Sequence, residues 1–270
     1  MTGSANQFVG SIPENYDSGL GPNIFHDYAD DLALRAGASG AASVLELAAG
    51  TGIVSRKLRD ALAPETSLVV TDLNPPMLDV ARAKFSPGEA VEFTPADAMA
   101  LPFGDAEFDL IVCQFGVMFF PDKAASFREA ARVMRSGGRY IFNTWGAMEA
   151  NPFSMIAHEV TARFFPEDPP GFYKLPFSYH DPDAVKRDLA AAGWVDVEHD
   201  TIPLRKTVTD MAGFARGMVF GNPLIDEIRT RGGADANEVM AAIIEEFSER
   251  MGPTPFTMPL QATVFTGRAP

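Results

Sequence analysis

The segment Val44-Leu45-Glu46-Leu47-Ala48-Ala49-Gly50-Thr51-Gly52, with Val69-Val70-Thr71-Asp72 further on, constrains this chain more than any other stretch. Val44 to Leu47 is a short apolar run broken by one carboxylate. Val54, Leu58 and Leu62 then recur at helical spacing, so the glycines stand where a strand hands over to a helix. Glycine suits such a turn because the backbone bends tightly and a ligand can approach it without a Cβ in the way, while the helix N-terminus offers unpaired N–H groups. Asp72, at the tip of the next strand, is placed to accept hydrogen bonds from ribose hydroxyls. The pattern reads as a site for a nucleotide-like cofactor. Taken singly, Gly50 and Gly52 also suit a plain structural turn, and Asp72 a helix N-cap.

Two cofactor classes use this arrangement, nicotinamide or flavin dinucleotides and S-adenosylmethionine, and the details favour the second. A dinucleotide turn wants a third Gly or Ala in the first helical turn, where this chain has Ser55. Glu46, inside the first strand, would repel a pyrophosphate but would suit an ammonium group. A nicotinamide-dependent oxidoreductase is the rival reading, and no Tyr-x-x-x-Lys pair or other evident hydride-transfer apparatus supports it. A non-catalytic binding protein that keeps the same fold is a further alternative.

At this point the residues resemble a known family. Glu46-x-Ala48-x-Gly50-x-Gly52 is similar to the first motif of class I S-adenosylmethionine-dependent methyltransferases, with Ala48 where the family usually has its first glycine. The resemblance continues in order through Asp72-Leu73-Asn74-Pro75-Pro76-Met77-Leu78, Thr94 to Phe103, Phe108 to Gly116, and Ala131 to Gly138. It implies that Asp72 binds the ribose, that Leu73 and Met77 pack on the adenine, and that Asp97, in the block Asp97-Ala98-Met99, holds the adenine amino group. Gln114 and Phe115 would lie beside the methionine part and the transferable methyl. Ser136-Gly137-Gly138 replaces the family's usual Pro-Gly-Gly and keeps the turn before the fifth strand.

Charge narrows the acceptor. The 270 residues carry 22 basic and 36 acidic side chains, a formal net charge of −14, which repels a phosphate backbone and argues against a nucleic-acid substrate. Asn74-Pro75-Pro76-Met77 resembles the motif of enzymes that methylate base amino groups, but there it closes the fourth strand, and here it follows the second. A single cysteine, Cys113, lies in an apolar strand, so an internal disulfide is excluded, no thiolate set exists for a metal, and the residue reads as core filler. No apolar run approaches the roughly 20 residues of a membrane span, and no signal segment opens the chain, so the expected location is cytoplasmic.

The expected fold is α/β, a doubly wound Rossmann-like seven-stranded methyltransferase sheet with its last strand antiparallel, plus a helical cap insertion; the closing strands and their antiparallel sense are implied by the resemblance. Residues 1–35 read as an N-terminal lid segment, irregular to about 30 with a helix beginning over Asp30 to Arg35, and 36–145 as the cofactor-binding core. Core strands are expected at 43–47, 67–71, 91–94, 108–115 and 139–145. Residues 146–270 complete the sheet (about 181–208 and 254–268) and supply a substrate cap (about 146–180 and 209–252). Phe127, Ala131 and Met134 are expected to form the inner face of one helix. Asp181 caps another that starts at Pro182, and Asp235 with Glu238 opens a third.

Tyr16, Phe25, Tyr28, Phe119 and Trp145 are the acceptor-facing candidates, and the aromatics crowded among prolines from Phe153 to Phe177 suit a small-molecule pocket. Methyl transfer from a sulfonium is an in-line displacement that needs alignment more than protein chemistry. Should the acceptor have to lose a proton, His26 and His180 are the candidate bases, ahead of His158 and His199. The expected partners are therefore S-adenosylmethionine and a small apolar or aromatic acceptor. Monomer and homodimer both stay open, with exposed apolar residues of the cap as a dimer contact.

Overall fold

A computed structural model describes residues 7–270, so the first six residues of the expected lid lie outside the described residues. The strands are β1 (Ser43–Glu46), β2 (Ser67–Asp72), β3 (Val91–Pro95), β4 (Phe108–Gln114), β5 (Met134–Trp145), β6 (Val195–Val208) and β7 (Phe256–Arg268). They form one seven-stranded sheet in the order β3-β2-β1-β4-β5-β7-β6. β1 to β5 are parallel, and β7 runs antiparallel to both β5 and β6. This is the expected α/β sheet.

The helices are α1 (Ile12–Asn15), α2 (His26–Gly37), α3 (Ile53–Ala61), α4 (Pro75–Arg82), α5 (Lys123–Val133), α6 (Pro152–Phe164), α7 (Pro182–Ala191), α8 (Met211–Phe220), α9 (Leu224–Arg231) and α10 (Ala236–Met251). Asp181 and Asp235 cap α7 and α10, accepting from the Asp183 and Asn237 backbone N–H groups. The inner face of α5 is Phe127, Ala130 and Val133 rather than Phe127, Ala131 and Met134, because the helix ends at Val133 and Met134 already belongs to β5. The turn glycines fall inside β5 as an irregularity, where the partner register slips from Phe108↔Met134 to Leu110↔Arg139.

The largest departure from the sequence reading is at the N-terminus. Instead of an irregular stretch up to residue 30, α1 runs into a π-helical segment, Tyr16–Phe25, and that into α2. Two glycines and a proline hid this helix, since Gly19, Gly21 and Pro22 read as breakers. Gly19 is needed for contact with Gly217 of α8. A Cβ on Gly19 would stand 2.7 Å from the Gly217 Cα in α8, and one on Gly217 would stand 2.9 Å from the Gly19 Cα. Ion pairs fasten the same helix to the core: Asp17 to Lys84, Asp30 to Lys57, Asp27 to Lys206 and Arg35 to Asp200.

The long β6–β7 hairpin is interrupted by α8, α9 and α10, which pack with α6 over one end of the sheet. Among the described residues the large exposed apolar side chains are Val9, Leu34, Leu73 and Val195, none of them in these helices, so the cap does not offer the apolar contact face expected of it. No helix among the described residues is long and apolar enough to cross a membrane.

Gly52 ends the turn after β1 with φ +78, and a Cβ there would lie 2.7 Å from the Ala81 Cβ of α4. Gly40 also has a left-handed φ, +67, but faces open space. Gly40→Ala should therefore cost about 1–2 kcal/mol for backbone conformation alone. Gly52→Ala should cost about 1–3 kcal/mol more, because two helices must be forced apart. Urea unfolding of the two variants side by side measures the difference.

Candidate functional site

The order of the sheet creates the site. β1 and β4 are neighbours, but the chain leaves them toward opposite sides, so a crevice opens above their C-terminal ends. Around it stand the Glu46 to Gly52 turn after β1, Asp72 after β2, Asp97 to Met99 after β3, Gln114 and Phe115 after β4, and Trp145 at the end of β5. Two cavities occupy the crevice, one much larger than the other. Both are lined by Tyr16, Phe25, Ala48, Gly50 and Gln114, which mark where they meet.

Asp72 is held by the backbone around it. Its Oδ2 accepts from the Gly50 N–H at 2.9 Å and its Oδ1 from the Asn74 N–H at 2.8 Å. Burial pushes its carboxyl up, and those hydrogen bonds pull the other way. Asn74, not Asp72, is the residue that precedes α4, so the helix-cap alternative does not apply. Met77 is buried and Leu73 exposed, and both line the larger cavity together with Asp97, Ala98 and Met99. One Asp97 oxygen is engaged by the Met99 N–H at 2.9 Å.

The smaller cavity is lined by Glu46 and Gln114, and each has a buried oxygen without a hydrogen-bond partner among the described residues, Glu46 Oε2 and Gln114 Oε1. Two orphaned acceptors facing one space fit a group that brings several N–H donors, such as an ammonium. Burial pushes the Glu46 carboxyl up to about 8, with the charge of Asp72 adding to it; the neighbouring Ser55 opposes the shift, yet its own hydroxyl lacks a bond of good geometry. Asp17, whose side chain accepts from Thr51 Oγ1 at 2.6 Å, adds another carboxylate beside the same turn. A pyrophosphate at this turn would face Asp17 and, once ionised, Glu46, which weighs against a dinucleotide, whereas Asp72 would serve the ribose of either cofactor.

Two residues here adopt left-handed backbone without being glycine: Ala48 with φ +50 and Phe115 with φ +50. For an aromatic residue such a conformation costs about 1–3 kcal/mol and persists only where its surroundings enforce it. Enforcement at Phe115 is visible. Its N–H donates to Asn143 Oδ1 at 2.8 Å, and its ring stacks on Trp145 with centroids 4.0 Å apart and planes 10° apart. Trp145 in turn stacks with Phe177 at 5.8 Å and meets Phe153 edge-on at 5.6 Å. Tyr16 stacks on Phe25 at 4.9 Å across the mouth, and burial raises its phenol pKa, helped by Asp72 and Asp17.

The sequence candidates divide accordingly. Tyr16, Phe25, Phe119 and Trp145 line the larger cavity. Tyr28 does not; it packs edge-on behind Phe115 and Trp145 and donates to the Ile202 carbonyl at 3.3 Å, as a core residue. Neither candidate base reaches the space. His26 stands at the start of α2 outside both cavities, its pKa lowered by burial and then by Lys57 and Lys84. His180 is exposed, with Nδ1 2.8 Å from the Phe177 carbonyl. His199 lies against Phe265 in the closing hairpin. The sequence reading missed Asn143 and Asn222. A polar residue in the run Tyr140-Ile141-Phe142-Asn143-Thr144-Trp145 was a signal for the first, whereas nothing local marked the second.

The fold and these strand ends define a Rossmann-like methyltransferase, and comparison with known proteins agrees. Residues 45–142 match the family described as a methyltransferase domain. The chain is 35% identical over 162 residues to a demethylmenaquinone methyltransferase of Thermus thermophilus, covering 56% of this chain and 73% of that protein. It is 37% identical over 134 residues to a ubiquinone/menaquinone biosynthesis C-methyltransferase of Hahella chejuensis, covering 48% of this chain and 52% of that one, so it spans about half the length of that relative. Among solved structures, the YcgJ protein of Bacillus subtilis superposes with a TM-score of 0.57 at 19% identity over 90% of this chain and 98% of that one. A phosphoethanolamine N-methyltransferase of Haemonchus contortus, solved with S-adenosylmethionine, gives 0.59 at 13% identity over 96% and 56%. The chain belongs to the class I S-adenosylmethionine-dependent methyltransferases.

Glu46 gives this site a pH dependence. In the unliganded protein its pKa of about 8 lies above the ordinary 4.5, so its contribution to stability is complete below about 4.5 and is lost as pH rises through 8. An ammonium placed beside it favours the carboxylate, so binding below pH 8 must release a proton. Calorimetric affinity for S-adenosylhomocysteine should therefore climb up to about tenfold per pH unit toward 8 and level off above it. Glu46→Gln should flatten that slope.

Proposed function

We propose that the protein moves a methyl group from S-adenosylmethionine to a small aromatic molecule of the quinone-precursor type, on a ring that is already electron-rich. The observation that supports this best is the join between the cavities. A small, acid-lined space suited to the amino end of the cofactor opens at Gln114 into a large space walled by Phe115, Phe119, Trp145, Phe153 and Phe177. Bound S-adenosylmethionine supplies a methyl group on a positively charged sulfur, already activated for displacement.

The chain's own residues have the simpler tasks. Asp72 and Asp97 hold the nucleoside, with Leu73, Met77, Ala98 and Met99 against its base; Glu46 and Gln114 take the amino end, and Ala48, Gly50 and Gly52 shape the turn beneath. Phe115 and Trp145 fix where a flat acceptor lies, the main requirement of an in-line displacement. The helix from Ile12 to Gly37 acts as a lid, with Tyr16 and Phe25 roofing the join and the Asp17 contacts to Thr51 and Lys84 closing it over the cofactor turn. Such a cover keeps water from the reacting methyl. The names of the quinone-biosynthesis relatives support an aromatic acceptor, and the aromatic walls do so independently.

Proton removal is not assigned to a side chain. Among the described residues lining the larger cavity there is no His, Lys or Arg, and the carboxylates Asp72 and Asp97 sit at its nucleoside end. An acceptor that arrives as its phenolate fits this lining: the ring carbon displaces the thioether, and the hydrogen that carbon carried passes as a proton to the phenolate oxygen, restoring the aromatic phenol. His26→Ala and His180→Ala should each retain activity within about threefold, against the 100-fold or greater loss that removal of a general base brings. A loss on that scale in either variant would overturn the assignment.

The test of the cofactor site is Asp72→Ala. Loss of its charge-assisted hydrogen bonds should weaken S-adenosylhomocysteine binding at least about tenfold by calorimetry. Unchanged affinity in a folded variant, checked by circular dichroism, would remove Asp72 from the site.

A further inference from the structure

The acceptor end of the large cavity is almost wholly apolar, and its few polar groups therefore say what it recognises. Thr71, Asp72, Asn74 and Asp97 belong to the ends of β2 and β3 at the nucleoside end, whereas among the described residues the cap contributes only Tyr173 and Asn222 as polar lining side chains. Both are buried, and they come from different parts of the chain: Tyr173 from the turn Phe172–Lys174, and Asn222 from the bend that follows α8.

Their hydrogens are all committed. The Tyr173 hydroxyl donates to the Met218 carbonyl at 2.8 Å. Asn222 Nδ2 donates to the same carbonyl at 2.9 Å and to Tyr173 Oη at 3.3 Å. Asn222 Oδ1 accepts from the Leu224 N–H at 3.0 Å. The Met218 carbonyl lies in the last turn of α8, where helix carbonyls lack intrahelical partners, so it keeps both donors occupied. The phenolic oxygen already donates once and accepts once, so the second acceptor direction of the Asn222 amide oxygen is what this corner has left to offer.

We propose that Tyr173 and Asn222 are specificity-determining residues that read a hydrogen-bond donor, a hydroxyl or N–H, carried on the acceptor ring away from the methylated atom. A ligand carbonyl pushed into this corner would find no donor and would stay unpaired, at a cost that a matching donor avoids. The corner thus selects hydroxylated or amino-bearing rings and rejects their ketone and ether counterparts. This inference rests on the reading of the large cavity as the acceptor site. A purely structural role, capping α8, would change stability and leave ligand choice alone.

The test uses the full chain saturated with S-adenosylhomocysteine, titrated with 1-naphthol, 1-methoxynaphthalene and 1,4-naphthoquinone by fluorescence or calorimetry. Wild type should bind 1-naphthol at least about tenfold more tightly than the methyl ether, the scale of one buried hydrogen bond. Asn222→Leu should bring that ratio close to one. Tyr173→Phe, which removes a single hydroxyl, frees an Asn222 N–H and should lower the ratio while tightening the quinone. Affinity for S-adenosylhomocysteine should stay unchanged in both variants. Equal wild-type affinity for naphthol and its ether, or a ratio that both variants preserve, overturns this inference and leaves the aromatic-acceptor reading standing. Binding of none of the three overturns that reading as well.

Discussion

The stack of Phe115 on Trp145 is the contact on which the site depends. At a centroid separation of 4.0 Å it joins the ends of β4 and β5, and it does so only because Phe115 accepts a left-handed backbone. Tyr28 and Phe25 pack on this pair from the N-terminal helix, and Phe153 and Phe177 pack on Trp145 from the cap. The N-terminal helix, the sheet and the helical cap thus share one aromatic centre. Its burial supplies the area that individual surface ion pairs along the N-terminal helix, worth about 0–1 kcal/mol each, do not. Asn143, fully buried on β5, holds the Phe115 N–H and so fixes the turn from beneath.

A second constraint operates at the cofactor turn, where three carboxyl groups stand close together and one of them, Glu46, is incompletely partnered. Glu46 is buried with one oxygen unpaired, Asp72 is satisfied by backbone N–H groups, and Asp17 is drawn in by Thr51 and Lys84. A buried carboxyl without a cation destabilises a fold, and its persistence here is understandable if a positively charged ligand completes it. The same feature separates a sulfonium nucleoside with an amino terminus from a dinucleotide, whose phosphates would meet like charge.

Much of the sheet was legible because its strands are short apolar runs between turn signals, and because the glycine turn and the acid of β2 stand in one local segment. Cys113 likewise sits buried in β4, as its apolar neighbours require. That the cofactor candidates gather at one edge was legible for the same reason: Asp72 and Gln114 end strands, Asp97 stands just after one, and the sheet brings strand ends together. The N-terminal helix was not legible. Gly19, Gly21 and Pro22 carry unfavourable local propensity, and contact with α8, where Gly19 faces Gly217, overrides it. Tyr28 and the histidines show the converse limit, since residue chemistry suggested roles that position denies.

By itself, the sequence determined the parallel core, the turn under the cofactor and the sign of the charge around it, because each depends on residues close together in the chain. Only the tertiary structure decided which side chains meet. It placed Tyr16 and Phe25 over the join between the cavities, set Tyr28 behind the Phe115–Trp145 pair, and left His26 and His180 outside. It also brought Tyr173 and Asn222, 49 residues apart in the chain, to one hydrogen-bonded corner. Such meetings depend on how the N-terminal and cap helices pack across the sheet, and packing between distant segments leaves no local periodicity for the sequence to display.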